Sequence, residues 1–532
     1  MASYALKLYH VIMTPKSRYL GLRGHALRSA QIIAVVAPAF TLFGYNQAGV
    51  GPLANLDSWG ESFPQIKTIH DGGSLAALHS TRKGAVIASF QVGALFGALS
   101  CLFLGDRFGR RRTIFLAAAL TAIGSILQGT SFNIIQFVVG RVILGFGVGE
   151  ISVAVPVWQS ECSSAAHRGR DVIAAGIFMC LGYALCNWLD LAFSFVPHSS
   201  LQWRLPLLVS LVLSATVLAS IFFLPESPRW LVRMNRNSLA TINLAALKGL
   251  PEDHEAVRTE IAQIESELEF AATRNNSLSE MFSKDDEEKL FYRFCLCFAL
   301  QFFQQACGGT LISVYASTIF QENLGLDTLL SRVLAASALT WKFLCCFLAF
   351  FAIDRLGRRS VFMISGAGMS VCMAVLAIST SFGQANYSAS ITSVTFIFLF
   401  NVFYPFGFLG GNFLYCTEVA PARLRVAMNS ISTANHWLWN FAVTMVTPVA
   451  IETIGYRYYI IYAITSALIP IVVFFFYPET MNRNLELLNN VFKDASSPWE
   501  IVSMAKNLPE GEIADDSHLE SEKTIVEQKE LV

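Results

Sequence analysis

Charge is scarce in this chain. Only 14% of its 532 residues are Asp, Glu, Lys or Arg, against about 25% in soluble domains. So few ionised groups cannot cover a soluble surface of this size, and most of the exterior must face lipid. Net charge is absent too: 38 basic and 38 acidic residues cancel. No basic tract stands apart from the apolar segments, which argues against nucleic acid as a partner. The eleven cysteines fall mostly inside apolar runs (Cys101, Cys180, Cys345, Cys346, Cys372). With no paired ladder in polar loops, they read as small hydrophobes rather than a disulfide framework. Cys/His ligand spacing and a Ser-centred nucleophile elbow are both missing. No metal site, cofactor or enzyme activity is therefore expected. The first 30 residues hold Lys7, Lys16, Arg18, Arg23 and Arg28 and no acid. They lack the early apolar core and small-residue ending of a cleaved signal, so a retained, cytoplasmic N-terminus is expected.

Apolar runs fill the rest, in an amount unusual for a soluble protein: 54% of residues are hydrophobic. A spanning helix needs about 20 such residues. Spans are predicted at 30–51, 84–104, 112–130, 134–158, 171–195 and 203–224, then at 293–320, 329–353, 360–381, 390–416, 430–452 and 456–477. The fold class is thus an all-α membrane protein with 12 transmembrane helices. The predicted units are a cytoplasmic N-terminus (1–29), a six-helix bundle (30–228), a charged linker with short amphipathic helices (229–290), a second six-helix bundle (291–482) and a polar, disordered cytoplasmic tail (483–532). An even number of spans puts both termini on one side. The loops at 105–112 and 354–359 carry seven arginines on that same side, as the positive-inside rule requires. The sequon Asn386-Tyr-Ser then falls outside and is a candidate glycosylation site; Asn275-Asn-Ser falls inside and is expected to stay unused.

The two halves share marks about 250 positions apart. Gly105-Asp-Arg-Phe-Gly-Arg-Arg-Arg112 matches Asp354-Arg-Leu-Gly-Arg-Arg359, Glu161 matches Glu418, and Pro225-Glu-Ser227 matches Pro478-Glu-Thr480. A repeat this long, made of hydrophobic spans, indicates two homologous membrane halves and hence transport. The set Gly105–Arg112, Pro156-Val-Trp-Gln-Ser-Glu161 with Arg168-Gly169, Pro225-Glu-Ser-Pro-Arg229, Gln301-Phe-Phe-Gln-Gln305, Asp354–Arg359, Glu418 with Arg425 and Pro478–Thr480 resembles the sugar-porter family of the major facilitator superfamily over almost the whole chain. Within it, Pro156–Cys162, Gln202-Trp-Arg204 and Phe474–Thr480 look most like fungal glycerol, lactose and related permeases.

The resemblance implies two pseudo-symmetric six-helix bundles with a central site between them, a small-molecule substrate and no partner beyond the bilayer except, as a candidate, protons. A monomer is the expected functional unit and the plasma membrane the expected location. It also implies a cytoplasmic latch: Asp106, Glu161 and Glu226 with Arg110, Arg168 and Arg229, and Asp354, Glu418 and Glu479 with Arg358 and Arg425. Exposed pairs at about 0–1 kcal/mol each would suit a switch that opens repeatedly. Gln301, Gln304 and Gln305 are the expected cargo contacts, because a carboxamide donates to and accepts from hydroxyls at once; interhelical glue is the competing reading. Thr310, Gly176 and Phe413 stand where sugar porters carry Asn, Gln and Trp, and His436 where Asn is usual, beside Trp437 and Asn440 and near Asn412. The pocket is therefore altered relative to hexose carriers.

Coupling is open at this level. Proton-driven members pair a first-helix Asp with a fourth-helix Arg; here Asn46 replaces the Asp while Arg141 remains, which favours facilitation. Glu150 and His436 are the other coupling candidates, Glu150 also reading as a packed, hydrogen-bonded group. Lys342 lies mid-way along the eighth span, where insertion costs roughly 3 kcal/mol unless it faces a cavity or partner. It either neutralises an acidic cargo or pairs with another helix. The cargo expected is a sugar, polyol or sugar acid, the alternatives being an organic-acid or secondary-metabolite carrier and, outside transport, a nutrient sensor.

Overall fold

The computed structural model describes residues 18–507, apart from 67–73, 164–167, 198, 274–287, 384–385, 422–423, 482, 484 and 496. The described residues form helices and no strand. The spanning set runs α1 Gly24–Leu53, α2 Ser74–Phe108, α3 Arg110–Gly129, α4 Ile134–Cys162, α5 Arg168–Ser194 and α6 Leu201–Phe223. It continues with α7 Leu290–Ala306 and Gly309–Val314, α8 Thr328–Leu356, α9 Arg358–Ser381, α10 Tyr387–Phe408 and Gly411–Val419, α11 Arg425–Ile454 and α12 Arg457–Phe476. Ten are long and apolar enough to cross a bilayer by composition alone. The two exceptions are α7, cut short at Cys307-Gly308, and α11, diluted by Asn429, Ser432, Asn435, His436 and Asn440. Both departures have one cause: these helices line the polar centre.

Packing repeats between the halves. In the first, α2 packs on α4, α3 on α4 and α6, and α1 on α5 and α6. In the second, α8 packs on α10, α9 on α10 and α12, and α7 on α11 and α12. A shift of six helices converts one set into the other. The halves meet along two equivalent seams, α2 with α11 and α5 with α8, so the major facilitator fold follows from the contacts. Close approach inside the first half relies on small residues. A Cβ on Gly93 or Gly97 of α2 would lie 2.1 or 2.0 Å from the carbonyl oxygens of Val142 and Phe146 on α4. Reciprocally, one on Gly145 or Gly149 would lie 2.0 Å from those of Phe90 and Ala94. Large apolar side chains such as Phe103, Val212, Phe351 and Ile378 stay exposed, the expected outer coat of a protein solvated by lipid.

α1 begins and α12 ends at one face, here called the terminal face. Three helices in the predicted linker, Pro228–Arg233, Asn237–Lys248 and Glu255–Thr273, share their own small core of Trp230, Leu231, Leu244, Val257 and Ile261. The expectation of disorder from 483 onward is corrected for its first part. Leu485–Asp494 and Pro498–Asn507 are helical, because Leu488, Val491 and Phe492 on one and Ile501 and Ala505 on the other form stripes at helical spacing that become buried. Trp499 packs on Phe475 and Phe476 at the end of α12, and Lys289 Nζ caps the first of these helices by donating to the carbonyls of Phe492 and Ala495. The segment 508–532 and the sequon at 275, expected to stay unused, lie outside the described residues.

Candidate functional site

The break in α7 places the central polar cluster. Gly308 adopts φ +90°, a left-handed conformation that glycine takes without steric cost, so the helix restarts at Gly309 and Thr310 returns toward Gln305. Gln301, Gln304 and Gln305 are all buried. A second break in α10, with Gly410 at φ +96°, brings Asn412 onto them. Asn412 Nδ2 donates to Gln304 Oε1 at 2.6 Å and to Gln301 Oε1 at 3.0 Å. Gln304 Nε2 donates to the Phe408 carbonyl at 3.1 Å, an acceptor freed by the break. From α11, His436 Nδ1 lies 2.7 Å from Gln304 Oε1 and its Nε2 lies 3.3 Å from Gln305 Nε2. Gln305 Nε2 also lies 3.0 Å from His436 Nδ1, so the imidazole bridges the two glutamines. Thr310 Oγ1 donates to Gln305 Oε1 at 2.6 Å, and Asn440 Nδ2 reaches Gln305 Oε1 and Thr310 Oγ1 at 3.2 Å each.

The structure thus brings together seven of the expected cargo residues in one network. Phe413 stands 5.8 Å from the His436 ring and Trp437 lies tilted at 5.1 Å from the ring of Phe43 of α1, forming the apolar rim. The other half contributes groups that the sequence reading did not single out. Gln91 of α2 meets Asn440 and Thr444 at 3.0 and 3.2 Å, and Ser152 of α4 accepts from Trp437 Nε1 at 3.3 Å. Gln91 is a polar residue inside an apolar span, the same signal that marked Gln301. The paired glycines 308–309 and 410–411 are the matching signal for the two breaks.

Lys342 is buried, 1% exposed. Its ammonium donates to Ser313 Oγ at 2.6 Å and lies 4.4 Å from the ring centroid of Tyr404 and 4.8 Å from that of Tyr183. The tyrosines come from different halves, α10 and α5. Cation–π contact with two rings offsets part of the desolvation cost, and among the described residues no carboxylate lies within ion-pair distance of it. Lys342 thus pairs with other helices, through Ser313 of α7 and the two tyrosines, and not with a carboxylate among the described residues.

At the terminal face the repeated loops make matching knots. Arg110 forks onto Glu161 with two bonds of 2.9 Å and reaches Asp106 at 3.0 Å. Arg358 forks onto Glu418 at 3.0 and 3.3 Å, and Thr480 donates to Glu418 at 2.6 Å. Glu226 and Glu479 are placed differently from the expectation of arginine side-chain partners. Each accepts from the first backbone N–H groups of a helix, Glu226 from Arg110 and Arg111 at the start of α3, Glu479 from Arg358 and Arg359 at the start of α9. An anion at a helix N-terminus meets unpaired donors and the positive dipole end. Burial pushes the Glu226 carboxyl up from its ordinary range, and the backbone N–H groups of Ser227 and Arg111 pull it back. Arg229 and Arg425 also engage neighbours there; the side chains of Arg168 and Asp354 lie outside the described residues.

These knots bind helices within each half. The surface-pair magnitude also fails for them, since the Arg110 and Glu161 side chains are 6% and 10% exposed. Truncating one partner of a buried pair costs about 3–5 kcal/mol. Arg110→Ala should therefore lower the melting temperature of detergent-purified protein by several degrees. Arg233→Ala, which removes the half-exposed partner of Asp106, should shift it by less than about one degree. Equal shifts would contradict this assignment.

The coupling candidates are not gathered into one site. Asn46 Nδ2 turns back to the Leu42 carbonyl of its own helix at 2.9 Å. Arg141 donates to the Ile87 carbonyl at 2.7 Å and lies over Phe90 at 5.0 Å. Glu150 accepts from Ser100 at 3.1 Å between α4 and α2, the packed alternative.

Discontinuous helices, a polar centre between two pseudo-symmetric bundles and arginine knots at one face define a major facilitator carrier. The family described as sugar (and other) transporter matches residues 30–492, and the chain belongs to it. It is 31% identical to the sugar transporter STL1 of Saccharomyces cerevisiae over 94% of this chain and 88% of that one. It is 32% identical to the MFS-type transporter oryC of Aspergillus oryzae, over 93% and 90%. Among solved structures, the proton:xylose symporter XylE bound to 6-bromo-6-deoxy-D-glucose shares the fold at TM-score 0.75, with 21% identity over 88% of this chain and 99% of that one.

Proposed function

We propose that the chain carries a small polyhydroxylated solute, a sugar, polyol or sugar acid, across a plasma membrane by alternating access, either by facilitation or coupled to protons. The observation that carries this reading is the carboxamide, imidazole and hydroxyl network of Gln301, Gln304, Gln305, Thr310, Asn412, His436 and Asn440 at the α7 break. It offers paired donors and acceptors at mid-depth, the chemistry a polyol needs to shed water. Asn412 Oδ1 is buried with no protein partner, an acceptor ready for a cargo hydroxyl. The names of relatives, a sugar transporter and a proton:xylose symporter, support the same class. In this reading the terminal face is cytoplasmic, 30–228 and 291–482 are the moving bundles, and the knots around Arg110 and Arg358 form the cytoplasmic gate by keeping each bundle rigid. Asn386 carries a glycan on the opposite side; its Oδ1 already caps α10 through the Ala389 N–H at 3.2 Å, which leaves Nδ2 for attachment. Uptake of labelled glycerol, xylose, glucose and gluconate in a transporter-null yeast, with and without a proton uncoupler, tests the reading; no uptake or exchange of any of them would overturn it.

The Lys342 cage favours a second reading on the same fold, an acidic cargo. Lys342→Met should then raise KM for gluconate about tenfold while leaving glucose or glycerol within twofold. A similar loss for neutral and acidic solutes would assign Lys342 to structure alone.

A further inference from the structure

The face opposite the termini holds a second polar site that the central network does not use. Asp190 of α5 is 5% exposed, and its Oδ1 has no hydrogen-bond partner. Its Oδ2 receives only the weak Cys186 thiol, at 3.7 Å. It lines a small cavity with Asn187 of its own helix, Pro52 and Leu53 at the end of α1, and Ser317 and Arg332 of the other half. Ser317 Oγ is a second buried atom there without a partner. The cavity therefore lies across the seam of α5 and α8, closed by one acid from the first half and one base from the second. Trp188 Nε1 to Thr340 Oγ1 at 2.8 Å, Asn55 Nδ2 to Thr318 Oγ1 at 3.1 Å and Ser80 Oγ to Glu452 Oε2 at 2.7 Å join the halves at neighbouring points.

We propose that Asp190 is a proton-binding site whose neutral form fits this closed face, and whose ionisation, which draws water to the buried carboxylate, parts the halves there. The proposal rests on the carrier reading above, because a gate at this face matters only to a protein that alternates. The groups facing Asp190 are Tyr45 from α1, Cys186 from α5 and Arg332 from α8, with Asp57 reaching Arg332. Arg332 is the single fixed positive charge among them. The first-helix position Asn46 carries no proton, so Asp190 would supply an acid that the first helix lacks. When Asp190 is ionised, its carboxylate hydrates together with Arg332 on the opening side, where Asp57 is already exposed.

The test reads the gate without any cargo. Nitroxides placed at Leu201→Cys and Leu330→Cys, on exposed far-face positions of the two halves, in a Cys295→Ser background, report their separation by double electron–electron resonance in nanodiscs. From pH 8 to pH 5 the longer-distance population should shrink at least threefold. Asp190→Asn should show the short population at both pH values, and Asp190→Glu should keep the pH response. A distribution that does not change with pH when Asp190 is present, or an Asp190→Asn protein that still responds like its parent, overturns the proposal. If Asp190→Asn does not fold, the parent and Asp190→Glu still decide. Absence of uptake for every solute alongside a normal pH response would count against the cargo reading and leave the gate standing.

Discussion

Gln304→Leu should lower transport of a recognised solute at limiting concentration by roughly 100-fold at equal surface expression. Three groups converge on this one carboxamide: Asn412 Nδ2 and His436 Nδ1 on its oxygen, and the Phe408 carbonyl on its nitrogen. Leucine has nearly the same volume, so packing is kept while the polar partners are lost. Each buried group left unpaired costs about 1–3 kcal/mol. The network relaxes to recover part of that, and the recovered geometry no longer presents Gln301, Asn412 and His436 together to hydroxyls. A net loss of about 2.8 kcal/mol in cargo recognition is a hundredfold. Gln91→Leu, at the edge of the same network, should cost less, about tenfold, because Asn440 keeps Gln305 and Thr310. Radiotracer uptake over a concentration series separates the two cases. An unchanged KM in Gln304→Leu would show that the glutamines are helix glue.

The order of the spanning helices could be read from the sequence because its causes are local: span length and the repeated loop acids are properties of contiguous residues. The knot at Arg110 was legible in its members and wrong in part of its wiring. Nothing in Pro225-Glu-Ser says that Glu226 meets the N-terminus of α3, since that depends on where α6 ends relative to α3 in three dimensions. The central site was legible from one half only. The glutamines are conspicuous on α7, whereas Tyr183, Tyr404 and Ser313 look like ordinary membrane residues until assembly wraps them around Lys342. The breaks at Gly308 and Gly410 were hidden in runs apolar enough to pass for continuous spans. The helices after residue 484 were missed for the opposite reason: their polar count outweighed three or four apolar positions whose burial needs a docking surface on α7 and α12.

Gly149→Val should abolish the folded protein rather than tune it. The backbones of α2 and α4 touch through Gly93, Gly97, Gly145 and Gly149, each aimed at a carbonyl oxygen of the opposite helix. A Cβ at 2.0 Å from the Ala94 oxygen cannot be relieved by a rotamer change, because the obstacle is backbone. Relief needs the two helices to separate by more than about 1 Å over several turns, which loosens the dispersion contacts of the whole seam. Overpacking a side-chain core costs about 1–3 kcal/mol; here the strain falls on an entire helix pair, so the cost should exceed that range and take most of the stability of a typical domain, about 5–15 kcal/mol. Gly105→Val is the control: a Cβ there meets nothing within 4 Å and the position lies on α2, the other member of the same helix pair, so expression and monodispersity should stay near wild type. Fluorescence-detected size-exclusion profiles of the two variants should differ in kind, one aggregated and one symmetric. A monodisperse Gly149→Val protein with a wild-type melting temperature would mean that α2 and α4 do not pack this closely. The same helix pair carries Gln91 and Ser152 to the centre, so the close approach set by four glycines also determines how near the first half comes to the cargo network on α7 and α11.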